Sequence, residues 1–586
     1  MNQNQSERPA RLGTSFLLHL AAAALMTEIS LLAAVVGLLW RAFDFSFPLN
    51  FVVYIFLWPV LELLFYLRIR RFRRLRTAQP LRHHPTDTAS VLNDFWPRVL
   101  AEDPIEDIIE GWFVGDGELR VGNIEELVGW TLYARPAPSL SVEQRAVRDD
   151  IVAQCLAKMQ TQFAPGYNAT RVCLLHTLEP LAICYKPLIF YMVVQAVRDI
   201  AWRVLAWRGF ELRSHGGCRY WYHPGSSGGE GATDAARATA APPAVTPPAP
   251  AAPLVVLHGV GGLVPYVPLL LRLRADRPRA PIVAPLLPHC SIFTPPFEPP
   301  PPLDTSRLVA GLAEALRSLA RNAPGASEAA PPTPCHFFGH SLGTAIQASM
   351  VREHPSLVAS ATFVDPICFL IYRHHVVYNF LYREPKPLRH GPFSQGKHFG
   401  YWFRLALHYM LKQEPTIQSC FRREFWWGRH WLHPHMLPCA AHVVLSGRDA
   451  IVPSHQVHAY LVEQSRRPRA AREQVAVGPR RVTPPLGIEL HERWHHGLAI
   501  LLPFAMRKVL SPFYRLVDDN EPPLALHGRE REGDEPAAEE AHPARPVGKV
   551  ALHDQALAPY PVSYKVAIAD DMRRGQRISR EAVGVL

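Results

Sequence analysis

The sequence is poor in cysteine, and none of its cysteines lie in a C-x-x-C pair. Nine cysteines are scattered over 586 residues, which is neither a disulfide framework nor a zinc-binding spacing. This usage fits a reducing compartment. The histidine pairs at 374–375 and 433–435 have no carboxylate or cysteine spacing beside them that would complete a metal site. We therefore predict no metal and no other cofactor.

Excess positive charge is small over most of the chain, although the formal net charge is +11. More than half of that excess comes from one short run, Arg68, Arg70, Arg71, Arg73, Arg74 and Arg76. A local run does not make a nucleic-acid surface, and we predict no nucleic-acid partner. Neither a Walker A sequence nor a complete G-x-G-x-x-G is present, so nucleotide binding is not predicted either.

Charge is nearly absent from two apolar runs near the N-terminus. Residues 15–40 and 51–67 are 26 and 17 residues long, and about 20 apolar residues cross a bilayer as a helix. Residues 1–76 are thus predicted to form a two-helix transmembrane hairpin with a basic flank. Arginines lie outside both runs, and only Arg41 lies in the turn. By the positive-inside rule the remaining chain faces the cytosol, beside membrane lipids.

Proline is abundant, with 57 residues, and it divides the rest of the chain. Residues 224–252 are rich in Gly, Ser, Ala and Pro and are predicted to be a disordered linker. Before it, residues 77–223 read as a helical accessory region that includes an amphipathic helix at 187–210. After it comes the main domain, 253–515, followed by a polar tail, 516–586, predicted to be disordered.

Within the main domain, strand and helix patterns alternate. Short continuous apolar runs at 254–257, 335–338 and 442–445 are typical of strands buried on both faces. Helical patterns lie between them, for example over 304–322. This alternation predicts an α/β fold with a doubly wound, mostly parallel sheet.

The main chemical signal is a G-x-S-x-G motif, residues Gly339 to Gly343, at a strand-to-helix junction. A serine that projects from a sharp turn needs glycines two residues before and after it for steric reasons. We expect Ser341 to be the nucleophile, with His340 beside it. The N-terminus of the following helix would then point its free N–H groups at a developing oxyanion.

A second glycine-rich loop follows the first strand of the main domain. It runs from His258 to Gly262. Backbone N–H groups of Val260 or Gly261, together with that of Leu342, are predicted to form an oxyanion hole. His258, Gly259 and His340 are assigned to the substrate site. An ordinary tight turn is the alternative reading of this loop.

A serine nucleophile needs a base and an orienting acid, and in this architecture the acid precedes the histidine in the chain. Asp449 follows a late strand, and His496 stands before a glycine near the last strand. We predict a Ser341–His496–Asp449 triad. Asp365, at the end of another strand, is the rival acid, and His495 is the rival base.

An insertion at 366–440 lies where such sheets carry a lid. From residue 372 to residue 431 it holds fifteen aromatic residues in 60, against 10% in the whole chain. A helical, aromatic-rich lid over an apolar acyl pocket is one interpretation. A self-packed helical subdomain with no substrate role is the other.

These motifs resemble those of the α/β-hydrolase superfamily, over roughly residues 253–515. The chain more closely resembles a little-characterised group of membrane-anchored predicted serine hydrolases, in segments at 111–113, 123–130, 258–266 and 363–370. The resemblance implies the α/β-hydrolase fold and a serine nucleophile in a comparable elbow. It assigns no substrate.

The sequence therefore favours a membrane-anchored serine hydrolase that cleaves carboxylic esters, with lipid or other apolar acyl substrates. A thioesterase or acyltransferase would use the same triad. A non-catalytic relative that keeps the fold as a lipid-binding or scaffold protein is the alternative from another class. An epoxide or haloalkane hydrolase is disfavoured, because those reactions need aspartate where Ser341 stands.

Overall fold

The structure is a computed structural model that describes residues 47–81, 85–226, 251–293, 305–321, 333–384, 405, 407–466 and 485–520. The strands are β1 Phe113–Val114, β2 Val172–Cys173, β3 Glu211–His215, β4 Cys218–His223, β5 Leu254–Leu257, β6 Ile282–Pro285, β7 Cys335–His340, β8 Val358–Val364, β9 Ala441–Ser446 and β10 Leu486–His491. Strands β1 and β2 form a separate two-stranded ladder, and the other eight form one large sheet in the order β10-β9-β8-β7-β5-β6-β4-β3.

Helices surround this sheet. Before β5 they are α1 Phe47–Thr77, α2 Pro85–Ser90, α3 Trp96–Glu102, α4 Ile105–Gly111, α5 Val121–Tyr133, α6 Val142–Lys158 and α7 Leu188–Trp207. After β5 they are α8 Val267–Asp276, α9 Thr305–Arg321, α10 Gly343–Glu353, α11 His374–Val377, α12 Pro415–Ser419, α13 Trp427–His430, α14 Ser454–Arg466, α15 Leu498–Leu501 and α16 Pro503–Asn520. Short π-helices lie at Val91–Phe95, Tyr378–Tyr382, His408–Lys412 and Cys420–Glu424.

The six strands from β10 to β6 in this order pair in parallel, and β4 and β3 extend the sheet antiparallel at one edge. The mostly parallel sheet predicted from the sequence is confirmed. Side chains of β5 alternate between the two faces: Val255 and Leu257 join one core, while Leu254 and Val256 join the other. Both faces of the sheet are therefore covered, which explains the continuous apolar runs.

The antiparallel edge corrects one expected boundary. The strands β3 and β4 fall in the region 77–223, which the sequence analysis treats as helical and separate. They form a hairpin whose two-residue turn is Gly216–Gly217, and both glycines have positive φ, 55° and 84°. Glycine adopts this conformation without steric cost and is favoured in such turns. The main sheet therefore begins at Glu211 and not at residue 253.

The rest of the N-terminal region packs into the same core as the sheet. Trp112, Trp130 and Phe95 belong to the cluster that contains Phe337 and Phe363 of the central strands. The aromatic residues Phe425, Trp426, Trp427 and Trp431 of the 366–440 insertion complete it. At its C-terminal end the main domain continues through α16 to Asn520, five residues beyond the expected boundary of 515.

No helix in the described part of the chain is long and apolar enough to cross a membrane. The first predicted span, 15–40, lies outside the described residues. The second, 51–67, falls within α1. The predicted linker at 224–252 and the tail beyond residue 520 also lie almost wholly outside the described residues.

Candidate active site

Ser341 lies on the turn between the central strand β7 and helix α10. Its φ is +52°, a left-handed conformation that non-glycine residues rarely adopt. A Cβ atom at Gly343 would lie 2.1 Å from the Leu257 carbonyl oxygen, so only glycine fits at that position. The Thr344 hydroxyl donates to the Ser341 carbonyl at 2.6 Å and accepts from the Ile367 N–H at 3.1 Å. The neighbouring chain thus holds the strained turn in place.

Three side chains from separate loops meet at this turn. Ser341 Oγ lies 3.0 Å from His496 Nε2, and His496 Nδ1 lies 2.6 Å from Asp449 Oδ2. Asp449 follows β9 and His496 follows β10, so all three residues stand beyond the carboxyl ends of parallel strands. This is the edge of an open α/β sheet where ligands bind.

Asp449 is itself held by backbone groups. Its Oδ1 accepts from the N–H groups of Ile451 and Val452, at 2.7 and 2.9 Å, and this leaves Oδ2 for the histidine. His495, the rival base, is exposed, and its ring has no hydrogen bond within the described part of the chain. The structure brings His496, and not His495, to Ser341.

Asp365, the rival acid, is fully buried beside the same histidine. Its Oδ2 lies 4.0 Å from His496 Nδ1, against 2.6 Å for Asp449. Its two oxygens accept from the backbone N–H groups of Ser446 and Gly497, both at 3.0 Å. Asp365 thus links the ends of β8 and β9 to the loop that follows β10, and it places a second negative charge near His496.

The electrostatics of His496 follow from these two carboxylates. Burial disfavours the charged imidazole, but the Asp449 carboxylate and, to a smaller extent, that of Asp365 outweigh burial and raise the pKa of His496 to about 9. Burial by itself would raise the pKa of Asp365, yet the nearby His340 and His496 rings bring it below the ordinary aspartate value. Asp365 is therefore an anion at neutral pH.

The glycine-rich loop after β5 lies against the serine. A Cβ atom at Gly259 would come within 3.0 Å of Ser341 Cβ. The N–H groups of Val260 and Leu342 have no hydrogen-bond acceptor among the described residues. The Gly261 N–H, in contrast, donates to the Cys290 carbonyl at 2.8 Å. Of the two expected donors in this loop, Gly261 is therefore excluded, and Val260 is left together with Leu342.

The expected substrate-binding role of His258, Gly259 and His340 needs correction. His258 is only 1% exposed; its Nε2 accepts from the Leu287 N–H at 3.0 Å, and its Nδ1 donates to the Gly259 carbonyl at 2.8 Å. Burial also lowers the pKa of His258 to about 4, so the ring is neutral. His258 fixes the shape of the loop and has no ring nitrogen left for a substrate.

Tyr266, a residue that the sequence analysis did not single out, connects Gly259 and His340. Its hydroxyl accepts from the Gly259 N–H at 2.7 Å and donates to His340 Nδ1 at 2.5 Å. His340 is itself buried, and its Nε2 lies 3.7 Å from Asp365 Oδ2. Gly259 and His340 thus lie behind the serine in a buried chain of polar groups. The only sequence signal for Tyr266 is its place in the segment 258–266 that carries the family resemblance.

The insertion at 366–440 divides into two parts. In one, Trp427 packs against Phe95 and Trp426 against Trp130, with ring centroids 4.6 and 5.8 Å apart, so these aromatics form core. In the other, Phe380, Leu411 and Ile417 of the insertion join Val194, Val260, Ile292 and Ile451 from other parts of the chain in an apolar cluster that adjoins the site. The self-packed interpretation describes the first part, while the second supplies apolar side chains beside the glycine-rich loop.

The described residues contain one group that could hold a metal ion, formed by Asp365, Asp449 and His496, with candidate ligand atoms within 4.8 Å of one another. His496 Nδ1 and Asp449 Oδ2 are already hydrogen-bonded to each other, and both Asp365 oxygens accept hydrogen bonds from backbone N–H groups. An ion would have to replace these hydrogen bonds. The donor set is therefore better matched to a histidine–carboxylate pair than to a metal.

The strand order and the serine turn after the central strand define an α/β-hydrolase-like fold. No family model and no curated protein matches the chain. Among solved structures it is similar to a membrane phospholipase A described as a bacterial virulence factor, at 14% identity and a TM-score of 0.34, over 56% of this chain and 92% of that one.

Two further solved structures show similarity at the same level. Carboxylesterase CesB from Bacillus subtilis has 11% identity and a TM-score of 0.32, over 55% of this chain and 98% of that one. A putative lipase from Acinetobacter baumannii has 16% identity and a TM-score of 0.31, over 58% and 99%. Values this low do not define a family or an activity for the chain.

Proposed function

We propose that the protein is a serine hydrolase that cleaves carboxylic esters through Ser341, His496 and Asp449. One observation carries the proposal: a serine held at positive φ on a strand–helix turn is in hydrogen-bond contact with a histidine that a buried carboxylate orients. Nucleophilic catalysis by serine needs this arrangement of nucleophile, base and orienting acid.

In the first half-reaction Ser341 Oγ attacks the ester carbonyl carbon while His496 Nε2 accepts the hydroxyl proton. His496 Nδ1–H donates to Asp449 Oδ2, which fixes the tautomer and stabilises the imidazolium. The N–H groups of Val260 and Leu342, beside the N-terminus of α10, stabilise the oxyanion. The tetrahedral intermediate then expels the alcohol, which takes the proton from His496.

In the second half-reaction a water molecule attacks the acyl-serine. His496 accepts a proton from this water and returns one to Ser341 Oγ, which releases the carboxylic acid. The enzyme is restored, and one water is consumed for each ester bond cleaved. A thiol ester or an alcohol acceptor would pass through the same acyl-serine.

Apolar acyl groups are the substrate class that the surroundings favour. Val260 follows the glycine next to Ser341, and Ile451 donates its N–H to Asp449, so both residues lie close to the reacting groups. Both belong to the apolar cluster of Phe380, Leu411 and Ile417. Such a lining favours an acyl chain through burial of apolar surface, at about 25 cal/mol per Å².

Membrane association is a separate part of the proposal. The apolar runs 15–40 and 51–67 and the basic run after them are the sequence features that support it, with the catalytic body in the cytosol and membrane lipids as partners. Carbonate extraction of isolated membranes, followed by protease digestion of sealed vesicles, tests this. Release by carbonate contradicts the anchor, and protection of the body in vesicles oriented with the cytosolic side outward contradicts the orientation.

The activity is tested by hydrolysis of nitrophenyl esters of graded chain length. We expect the wild type to hydrolyse them, and Ser341→Ala and His496→Ala to lose activity by at least about 10³-fold. His495→Ala is the matched control, because this neighbouring histidine is exposed, and it should keep wild-type rates. A folded wild type without activity, or full activity in Ser341→Ala, contradicts the proposal and favours a non-catalytic role.

A further inference from the structure

The outward side of helix α7 is mostly apolar, although the exposed Arg203 also lies on it. Met192, Val193, Val197, Ile200 and Trp207 are all exposed, from 46% for Val197 to 77% for Trp207. At 3.6 residues per turn these five positions fall within about 140° of one side of the helix. Exposed apolar patches of this kind mark surfaces that bind a protein or a membrane.

The inward side of α7 faces the candidate site. Val194 lies in the same apolar cluster as Val260 of the glycine-rich loop and Ile451 next to the catalytic acid. Further along, Ala201 and Leu205 pack against the sheet. One helix therefore separates the apolar surroundings of Ser341 from the exposed apolar surface.

Helix α1 packs against the start of α7 and extends this surface. Its Phe65 is buried with Leu188 and Tyr191 of α7. Among the other apolar side chains of α1 that the structure describes, Trp58 and Ile69 are partly buried beside Phe65, whereas Ile55, Leu57, Val60, Leu61, Leu63, Leu64 and Leu67 are exposed. These positions cover about two thirds of the helix circumference. A protein partner typically covers one stripe of a helix, whereas hydrocarbon surrounds it, so this distribution favours lipid.

The one charged side chain within the apolar run 51–67 is turned away from that exposed side. Glu62 accepts from the Leu188 N–H at 3.1 Å and from the Tyr185 hydroxyl, at the N-terminus of α7. The positive end of the helix dipole stabilises a carboxylate there. The outward side of this run therefore carries no charge that would oppose contact with hydrocarbon.

Exposed arginines follow the apolar part of α1 directly. They are Arg68, Arg70, Arg71, Arg73 and Arg74. A basic cluster next to an apolar segment complements anionic lipid headgroups. Charge complementarity therefore favours a bilayer that contains anionic lipids.

We propose that the exposed face of α7 and the apolar turns of α1, together the α1–α7 surface, bind a bilayer that contains anionic lipids. The acyl substrate then enters from this bilayer alongside α7. The entry route rests on the proposed ester hydrolase function, whereas binding to the bilayer does not.

The binding is tested on the full chain reconstituted with phosphatidylcholine–phosphatidylserine vesicles. A nitroxide is attached in Val197→Cys and, as matched control, in Val142→Cys, because Val142 is an exposed valine of α6. The unsubstituted protein serves as the labelling blank. We expect the ratio of collisions with oxygen to collisions with a water-soluble nickel chelate to be several-fold higher at position 197 than at 142.

Equal ratios at the two positions overturn the proposal. So does a label at 197 that neither reagent reaches, because this result means that a protein partner or a second copy covers the face. The labels are read in the Ser341→Ala background as well, so that bilayer binding is decided even if the protein hydrolyses no ester.

The entry route is tested with one ester presented in vesicles and a short soluble ester. We expect Val193→Glu/Ile200→Glu to lower the ratio of vesicle to soluble rates several-fold, and Val142→Glu to leave it at the wild-type value. An unchanged ratio in the double variant overturns the route. Ile200→Asn repeats the test if the double variant does not fold. If the wild type cleaves neither ester, the proposed function fails, while the nitroxide result still decides the surface.

Discussion

His496 stands between two buried carboxylates, and only one of them is hydrogen-bonded to it. Asp449 lies 2.6 Å from Nδ1, and Asp365 lies 4.0 Å away with both oxygens bonded to backbone. Asp449 thus orients the ring, while Asp365 acts on it through its charge. This separation predicts different effects for two similar substitutions.

Asp365→Asn should shift the pH dependence of ester hydrolysis to lower pH. The neutral imidazole is the base, so kcat/KM rises with pH through the pKa of His496, which the two carboxylates raise to about 9. Removal of one negative charge lowers that pKa and moves the rise to lower pH. The pH profile of kcat/KM measures it, with the surface variant Asp276→Asn as control. A shift to higher pH would contradict this account.

Asp449→Asn should reduce kcat far more than Asp365→Asn does. The N–H groups of Ile451 and Val452 retain the amide oxygen, so the amide NH2 faces Nδ1 and donates to it. This fixes the wrong tautomer, and kcat falls by on the order of 10³–10⁴. Steady-state kinetics of both variants at one pH compares them. A larger loss in Asp365→Asn would make Asp365 the orienting acid.

Tyr266 positions the glycine-rich loop without touching the substrate. Tyr266→Phe removes the acceptor for the Gly259 N–H and the donor to His340. We expect kcat to fall about tenfold or more with little change in KM, because the loop carries an oxyanion donor used only in the transition state. Tyr514→Phe, which loses a partly buried hydrogen bond to Asp276, is the control. A rise in KM at constant kcat would mean that Tyr266 binds the ground state.

At the scale of the elements, the π-helix Cys420–Glu424 is tied to the N-terminal region. Arg423 donates to the carbonyls of Arg76, Thr177 and Glu179. Arg422 pairs with Glu179 at 2.7 Å. These contacts hold the insertion at 366–440 against helix α1 and residues 176–179, so this part does not behave as a separate lid.

Arg423→Ala should therefore destabilise the whole molecule. Each buried carbonyl left unpaired costs about 1–3 kcal/mol, and we expect a loss of at least about 2 kcal/mol in the free energy of unfolding. Arg272→Ala is the matched control, since Arg272 is half exposed and paired with Asp276, and it should destabilise the protein less than Arg423→Ala does. Urea denaturation measures both. Equal small losses of stability in the two variants would show that the hydrogen bonds of Arg423 contribute little.

The strands and turns also show how much of the fold could be predicted from the sequence. Strands β5, β7 and β9 follow from local apolar runs, and the serine turn follows from a local motif. The β3–β4 hairpin was missed although its Gly216–Gly217 turn is a local signal, because a helical pattern precedes it. The burial of His258 and His340 could not be predicted, since their partners Leu287 and Tyr266 are distant in sequence or carry no motif.

At the scale of the whole molecule, the sheet brings three distant loops to one edge, and α7 lies between that edge and an exposed apolar surface. The N-terminal region is part of this arrangement, because its aromatic residues and its β3–β4 hairpin share the core and the sheet. A fragment that starts at residue 253 should therefore be insoluble or unfolded, and circular dichroism of that fragment beside the full chain checks this. A stable, cooperatively folded fragment would contradict the shared core.

The central claim is that Ser341 is an activated nucleophile, and covalent labelling tests it most directly. The solubilised full chain is treated with a fluorophosphonate, and the modified residue is located by peptide mass mapping in wild type, His496→Ala and His495→Ala. The account predicts one adduct, on Ser341, in wild type and His495→Ala and its loss in His496→Ala. A folded wild type that stays unlabelled, or an adduct on another serine, would contradict it.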